Sequence, residues 1–129
     1  MKKKILLIED EQQMNYRFIY KLKEIFEVEI AISAEAAVNL LSQKKDFDLI
    51  FLDIMMDPRP YSFAQTDEGI ETGWILYEQL LRNFCGKVVV WSKNRDIFKK
   101  PWGSNVVEKV IKSNDENQLI QIARRQLGE

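Results

Sequence analysis

Four short stretches of this chain are apolar at consecutive positions: Ile5–Ile8, Leu49–Leu52, Val88–Trp91 and Val106–Ile111, the last interrupted by Glu108 and Lys109. A half-exposed strand alternates apolar and polar residues. An unbroken run of this length instead calls for cover on both faces, which a parallel sheet wrapped by helices provides. A weaker run, Val28–Ile32, lies between the first two.

The segments between these runs carry helical spacing. Met14, Phe18, Leu22 and Phe26 recur every four residues, one stripe of a helix. Ala37, Leu40 and Leu41 follow a candidate cap at Ser33, and Leu76, Leu80 and Phe84 form a third stripe. Ser113-Asn114-Asp115-Glu116 matches a capping box ahead of Leu119, Ile120, Ala123 and Leu127. Strand and helix therefore alternate, which predicts a doubly wound α/β parallel sheet with right-handed crossovers. Two stretches break the rhythm. Asp57 to Thr72 holds two prolines and little periodicity, so a long loop is expected there. Between Lys93 and Asn105, Pro101 and Gly103 leave room only for a short helix over roughly Arg95–Lys100.

Bulk properties narrow the chemistry. The 129 residues fit one domain, 1–129, without a separate output domain, and no repeat or linker interrupts it. Nineteen basic residues against twenty acidic ones argue against a nucleic-acid binder, whose affinity rests on neutralising phosphates. Cys85 is the single cysteine, which excludes an internal disulfide and suits a reducing compartment. Histidine is absent, removing His-ligated zinc and the Ser-His and Cys-His nucleophiles. Carboxylate and carbonyl oxygens remain, the ligand set of Mg²⁺ or Ca²⁺. The lysines at 2–4 and the four apolar residues after them are too short for a signal peptide or membrane span, so a cytoplasmic protein is expected.

Open parallel sheets bind ligands beyond the carboxyl ends of their strands. The apolar runs here end in Glu9-Asp10, Asp53, Ser92 and Lys112. Three close carboxylates coexist ionised only with a divalent cation. Mg²⁺ would take oxygens from Asp10, Asp53 and the backbone carbonyl just after Asp53. Asp53 could then attack phosphorus, Lys112 would balance charge on the transferring group, and Ser92 would donate a hydrogen bond to it. Taken singly, these residues are ordinary. Asp10 ahead of Gln13 reads as a helix cap, Asp53 as a turn residue, Ser92 as a strand-end hydroxyl and Lys112 as a solvated lysine. Their joint order carries the functional reading.

That order resembles the receiver domain of two-component response regulators (CheY-like), over essentially the whole chain. The motifs are ILLIED with Glu9 and Asp10, LIFLDIMM with Asp53, VVVWS with Ser92 and KVIK with Lys112. The resemblance implies a flavodoxin-like five-stranded sheet of order 2-1-3-4-5. It implies Mg²⁺ held by Glu9, Asp10, Asp53 and the Met55 carbonyl. It further implies a phosphoryl group taken onto Asp53 from a phosphohistidine of a sensor histidine kinase or phosphotransfer protein. Such a chain is a signalling switch acting on a downstream protein rather than a turnover enzyme, with no membrane or direct nucleic-acid contact. A homodimer through the fourth-helix, fifth-strand and fifth-helix face also fits that pattern.

The chain departs from the family at several points. Ser113 stands where a proline usually follows the lysine, so a trans peptide is expected there. Lys109 replaces the switch aromatic, and Lys93 follows Ser92 where a small residue is common. The loop after Asp53 is long, with Gly69 or Gly73 opening the next helix. Ile97, Phe98, Pro101 and Trp102 either form an apolar partner patch or cover the sheet edge. Two competing functions remain. A phosphatase of the haloacid-dehalogenase type wants its aspartate on the first strand and a second acid two residues on, where this chain has Met55. A phosphorylation-independent pseudo-receiver would keep the fold as a binding scaffold.

Overall fold

The computed structural model describes residues 2–10, 16–44, 46–113, 115 and 117–128, with 16–18 as backbone only. The five apolar runs are five parallel strands: β1 (Lys4–Ile8), β2 (Glu27–Ala31), β3 (Leu49–Asp53), β4 (Lys87–Ser92) and β5 (Val106–Ile111). They pair in the order β2-β1-β3-β4-β5. This is the expected doubly wound sheet.

Successive strand side chains point to opposite faces, and here each face has its own core. Leu6, Ile8, Ile50, Leu52, Val88 and Val90 pack to one side. Ile5, Leu7, Leu49, Phe51, Val89 and Trp91 pack to the other. Nearly all are below 1% exposed, which is why the central runs never alternate in polarity. Each such aliphatic side chain contributes about 1.5–3 kcal/mol of burial. The edge strands β2 and β5 are only partly covered and carry the charges.

Helices α1 (Tyr16–Ile25) and α5 (Gln118–Leu127) cover one face, and α2 (Ala34–Leu41) lies on the other. Leu22 and Phe26 of the first expected stripe are buried; Met14 lies outside the described residues. Ser33 caps α2, accepting from the Ala36 N–H at 3.0 Å. The capping box expected at Ser113 needs Glu116, which lies outside the described residues. The Ser113 hydroxyl accepts from the Asp115 N–H, and α5 starts at Gln118 behind an Asn117 with no side-chain cap.

The stretch after β3 is more ordered than a loop. It contains α3 (Phe63–Thr66), one turn held by a Ser62–Gln65 capping box. The next helix, α4 (Thr72–Leu76), runs on as a π-helical stretch, Tyr77–Leu81, with the Arg82 N–H bonded to the Tyr77 carbonyl. The extra residue per turn moves the apolar stripe. Leu76, Tyr77 and Leu81 face the core, and Leu80, expected inside, is 42% exposed.

The expected weak helix is a 3₁₀ turn over Arg95–Lys99. Its apolar residues are a cover rather than a free patch. Ile97 is buried, and Phe98 and Trp102 pack half-buried against the same core. Trp102 meets Trp74 and Tyr77 edge-on, with ring centroids 4.8 and 4.9 Å apart. Its indole N–H donates to the Ile97 carbonyl.

Candidate functional site

Parallel pairing puts the carboxyl ends of β1, β3, β4 and β5 along one rim. Ile8 is level with Leu52, Asp53 with Trp91, and Ser92 with Ile111. The residues that end those strands therefore meet. Glu9, Asp10, Asp53, Met55, Ser92, Lys93 and Lys112 line a cleft of about 250 Å³. One carboxylate oxygen from each of Glu9, Asp10 and Asp53 lies within 4.8 Å of the others.

The Lys112 ammonium reaches into this group, 2.9 Å from Glu9 Oε2 and 2.9 Å from Asp53 Oδ1. Asp53 Oδ1 also accepts from the Ile54 N–H at 2.8 Å. Asp53 Oδ2 is buried and has no hydrogen-bond partner among the described residues. A buried acceptor left this way is costly.

The charges do not balance. Among the described residues, three carboxyl groups face one half-buried ammonium, while Lys93 sits exposed at the lip of the cleft. Burial, reinforced by Glu9, pushes the Asp53 carboxyl up to about 8 against the opposing pull of Lys112. Burial and Glu9 likewise raise Asp10. Burial works to lower Lys112, but Asp53 and Glu9 outweigh it and hold the ammonium above its usual value. With all three carboxyl groups ionised, they and Lys112 would leave two negative charges over, an excess that a doubly charged hard cation would answer.

The remaining positions follow from local chemistry. The Ser92 oxygen accepts from the Asn94 N–H at 3.1 Å, which leaves its proton to donate into the cleft. The Lys112 backbone is tied to β4 through its N–H and the Ser92 carbonyl. Only Arg59–Pro60 is cis among the described residues, so Lys112–Ser113 is trans, as expected for a serine. Lys109, at the expected aromatic position, is exposed and lies 3.4 Å from the Phe98 carbonyl oxygen.

The glycines after β3 let the chain turn tightly beside Asp53. Gly69 takes φ +92, and its carbonyl accepts from the Met56 N–H. Gly73 donates to the Ile54 carbonyl at 2.8 Å, and a Cβ there would lie 2.3 Å from the Asp53 carbonyl oxygen. Thr72, fully buried, reaches the Met56 and Gly69 carbonyls with its hydroxyl.

Two neighbours of Lys112 escape a reading of the sequence. Trp91 lies in an apolar run and reads as core, yet its ring centroid is 4.6 Å from the Lys112 nitrogen. Gln118 carries no signal at all, but its side chain bonds both Trp91 and the backbone beside Lys112.

No protein-family model and no curated protein matches this chain. Solved structures do. A response regulator receiver domain protein (CheY-like) from Methanospirillum hungatei JF-1 superposes with a TM-score of 0.74 at 18% identity, over 99% of this chain and 95% of that one. The BeF3-activated N-terminal receiver domain of RstA from Klebsiella pneumoniae gives 0.67 at 19% identity, over 98% and 100%. The response regulator TrrA from Thermotoga maritima, in complex with Mg²⁺-BeF, gives 0.65 at 21% identity, over 96% and 98%. The chain thus has the fold of the CheY-like response-regulator receiver domains.

Proposed function

We propose that the chain is a phospho-accepting signalling switch, in which Asp53 takes a phosphoryl group with the help of Mg²⁺. The observation that carries this reading is the cluster around Asp53: among the described residues, three carboxyl groups meet one ammonium, and a buried Asp53 oxygen has no hydrogen-bond partner. Glu9, Asp10, Asp53 and the Met55 carbonyl would hold the metal. Mg²⁺ supplies positive charge to the phosphoryl oxygens and lets the carboxylates stand ionised together.

The chain's own groups account for the rest. The Ile54 N–H and Lys112 fix one oxygen of Asp53 and so orient the carboxylate. An Asp53 oxygen forms the new bond to phosphorus as the bond from phosphorus to the donor's imidazole nitrogen breaks. Lys112 balances charge on the transferring group, and the Ser92 hydroxyl donates to it. The donor is a phosphohistidine of a partner kinase or phosphotransfer protein, as the likeness to receiver domains suggests. The readout is a changed surface met by a downstream protein, in the cytoplasm, without turnover of a substrate.

Incubation with acetyl phosphate and Mg²⁺ tests this directly. Intact-mass measurement is expected to show one phosphoryl group, absent without Mg²⁺ and absent in Asp53→Asn. A chain that takes no label and shows no Mg²⁺ affinity would instead be a phosphorylation-independent scaffold. Steady release of phosphate from a monoester would point to a phosphatase.

A further inference from the structure

The Lys112 ammonium is held from two sides. The Glu9 and Asp53 carboxylates lie at 2.9 Å, and the ring of Trp91 faces the same nitrogen at 4.6 Å from its centroid. Trp91 is 7% exposed and stands in register with Asp53 on the neighbouring strand. Its indole N–H donates to the Gln118 side-chain oxygen at 3.3 Å. The same oxygen accepts from the Ser113 N–H at 3.1 Å, and the Gln118 amide donates to the Ile111 carbonyl at 2.7 Å. One side chain therefore grips the backbone on both sides of Lys112 and the edge of the ring beside it.

This arrangement suits a lysine that must be aimed but not captured. A lysine side chain is a flexible four-carbon stem with large rotamer freedom. An aromatic face attracts the ammonium yet offers no strong acceptor that would draw it away from the carboxylates. Charge stabilisation of a transferring group works best when the cation is already in place. We infer that Trp91 and Gln118 are positioning residues for Lys112, the ring guiding the ammonium and the amide locking both the ring and the Ile111–Ser113 backbone. Gln118 is also the first residue of α5, so a shift of Lys112 is felt at the start of that helix. The inference rests on the proposed phosphoryl switch for its purpose, not for its geometry.

The test has two arms on the full chain. In the first, ¹H–¹⁵N spectra are recorded without any phosphoryl donor for the wild type and Lys112→Met. The Trp91 indole and Gln118 side-chain resonances are expected to move, and those of Trp74 and Trp102 to stay. Unchanged Trp91 and Gln118 signals overturn the inference, whatever labelling does.

The second arm compares maximal labelling rates with acetyl phosphate at saturating Mg²⁺. Trp91→Leu is expected to fall about ten-fold and Trp91→Phe, which keeps a ring, to recover most of that loss. Gln118→Leu is expected to fall about three-fold with its half-saturating Mg²⁺ unchanged. Equal rates in the Phe and Leu variants, or a loss that follows thermal melting alone, overturn the positioning role. Should Trp91→Leu not fold, Gln118→Leu decides this arm. A wild type that takes no label sinks the proposed function, and the spectra then decide the cradle independently.

Discussion

Two polar clusters in this molecule are built on opposite principles. Around Tyr77 the polar atoms are matched one for one. Its hydroxyl donates to Asn105 Oδ1 and accepts from the Gly103 N–H, while the Asn105 amide donates to the Leu81 and Phe84 carbonyls. Arg82 lies 5.2 Å from the Tyr77 ring centroid and 5.7 Å from that of Trp74, closing the cluster with a cation. At the rim of β1 and β3, three carboxyl groups cluster, and Asp53 Oδ2 has no hydrogen-bond partner among the described residues. A satisfied network holds a fold together, whereas an unsatisfied one favours a ligand that completes it. The first cluster packs against Trp102, just after the 3₁₀ turn between β4 and β5. The second is where chemistry is expected.

The largest effect that separates the two comes from the satisfied side. Tyr77→Ala removes a fully buried ring and its hydrogen bonds and is expected to cost about 3–5 kcal/mol in urea unfolding. Tyr77→Phe, losing only the hydroxyl, should cost about 1–3 kcal/mol because Asn105 and Gly103 are left unpaired. Neither should change Mg²⁺ affinity of the folded fraction by more than about two-fold, since the clusters share no partners. A larger change would show that they are coupled.

Mg²⁺ should act on the other side alone. At one hundred times its dissociation constant it is expected to stabilise the fold by about 2.7 kcal/mol, seen as a raised melting temperature that EDTA reverses. The effect depends on pH in a definite direction. Asp53 keeps its proton in the metal-free fold up to about 8, whereas an unfolded aspartate releases it near 3.9. Between those values the folded state binds more protons, so metal-free stability falls as pH rises. Mg²⁺ competes with that proton, and its affinity climbs over the same window. An affinity independent of pH from 5 to 8 would contradict the charge argument at Asp53.

The smallest effect sharpens the contrast. Asp53→Asn removes the buried carboxyl group whose ionisation, half complete at about pH 8, costs the metal-free fold stability. It should raise metal-free stability at pH 8 by on the order of 1–2 kcal/mol and flatten the pH dependence. A loss of stability would mean that the Lys112–Asp53 pair supports the fold more than the charge excess burdens it.

The contrast also explains which parts were legible in advance. Residues that end strands are fixed in space by β-sheet register, so Glu9, Asp10, Asp53, Ser92 and Lys112 could be grouped from apolar runs alone. Helices were less readable where side chains far apart in sequence intervene. The Leu76, Leu80 and Phe84 stripe assumed α-helical bonding, but a π-helical stretch turned Tyr77 inward toward Asn105 and Gly103. The helix α5 begins at Gln118, where the Ile111 and Ser113 backbone meets its side chain, and no local pattern announced that contact.

Residue order alone decided the layer architecture and the membership of the carboxylate cluster, because both follow from periodicity and from where each strand stops. Only the packed molecule decided how strongly those carboxyl groups perturb one another, and which neighbours aim the lysine between them. Those outcomes depend on desolvation and on contacts such as Trp91 with Gln118, 27 positions apart. No local pattern encodes a distance of that kind.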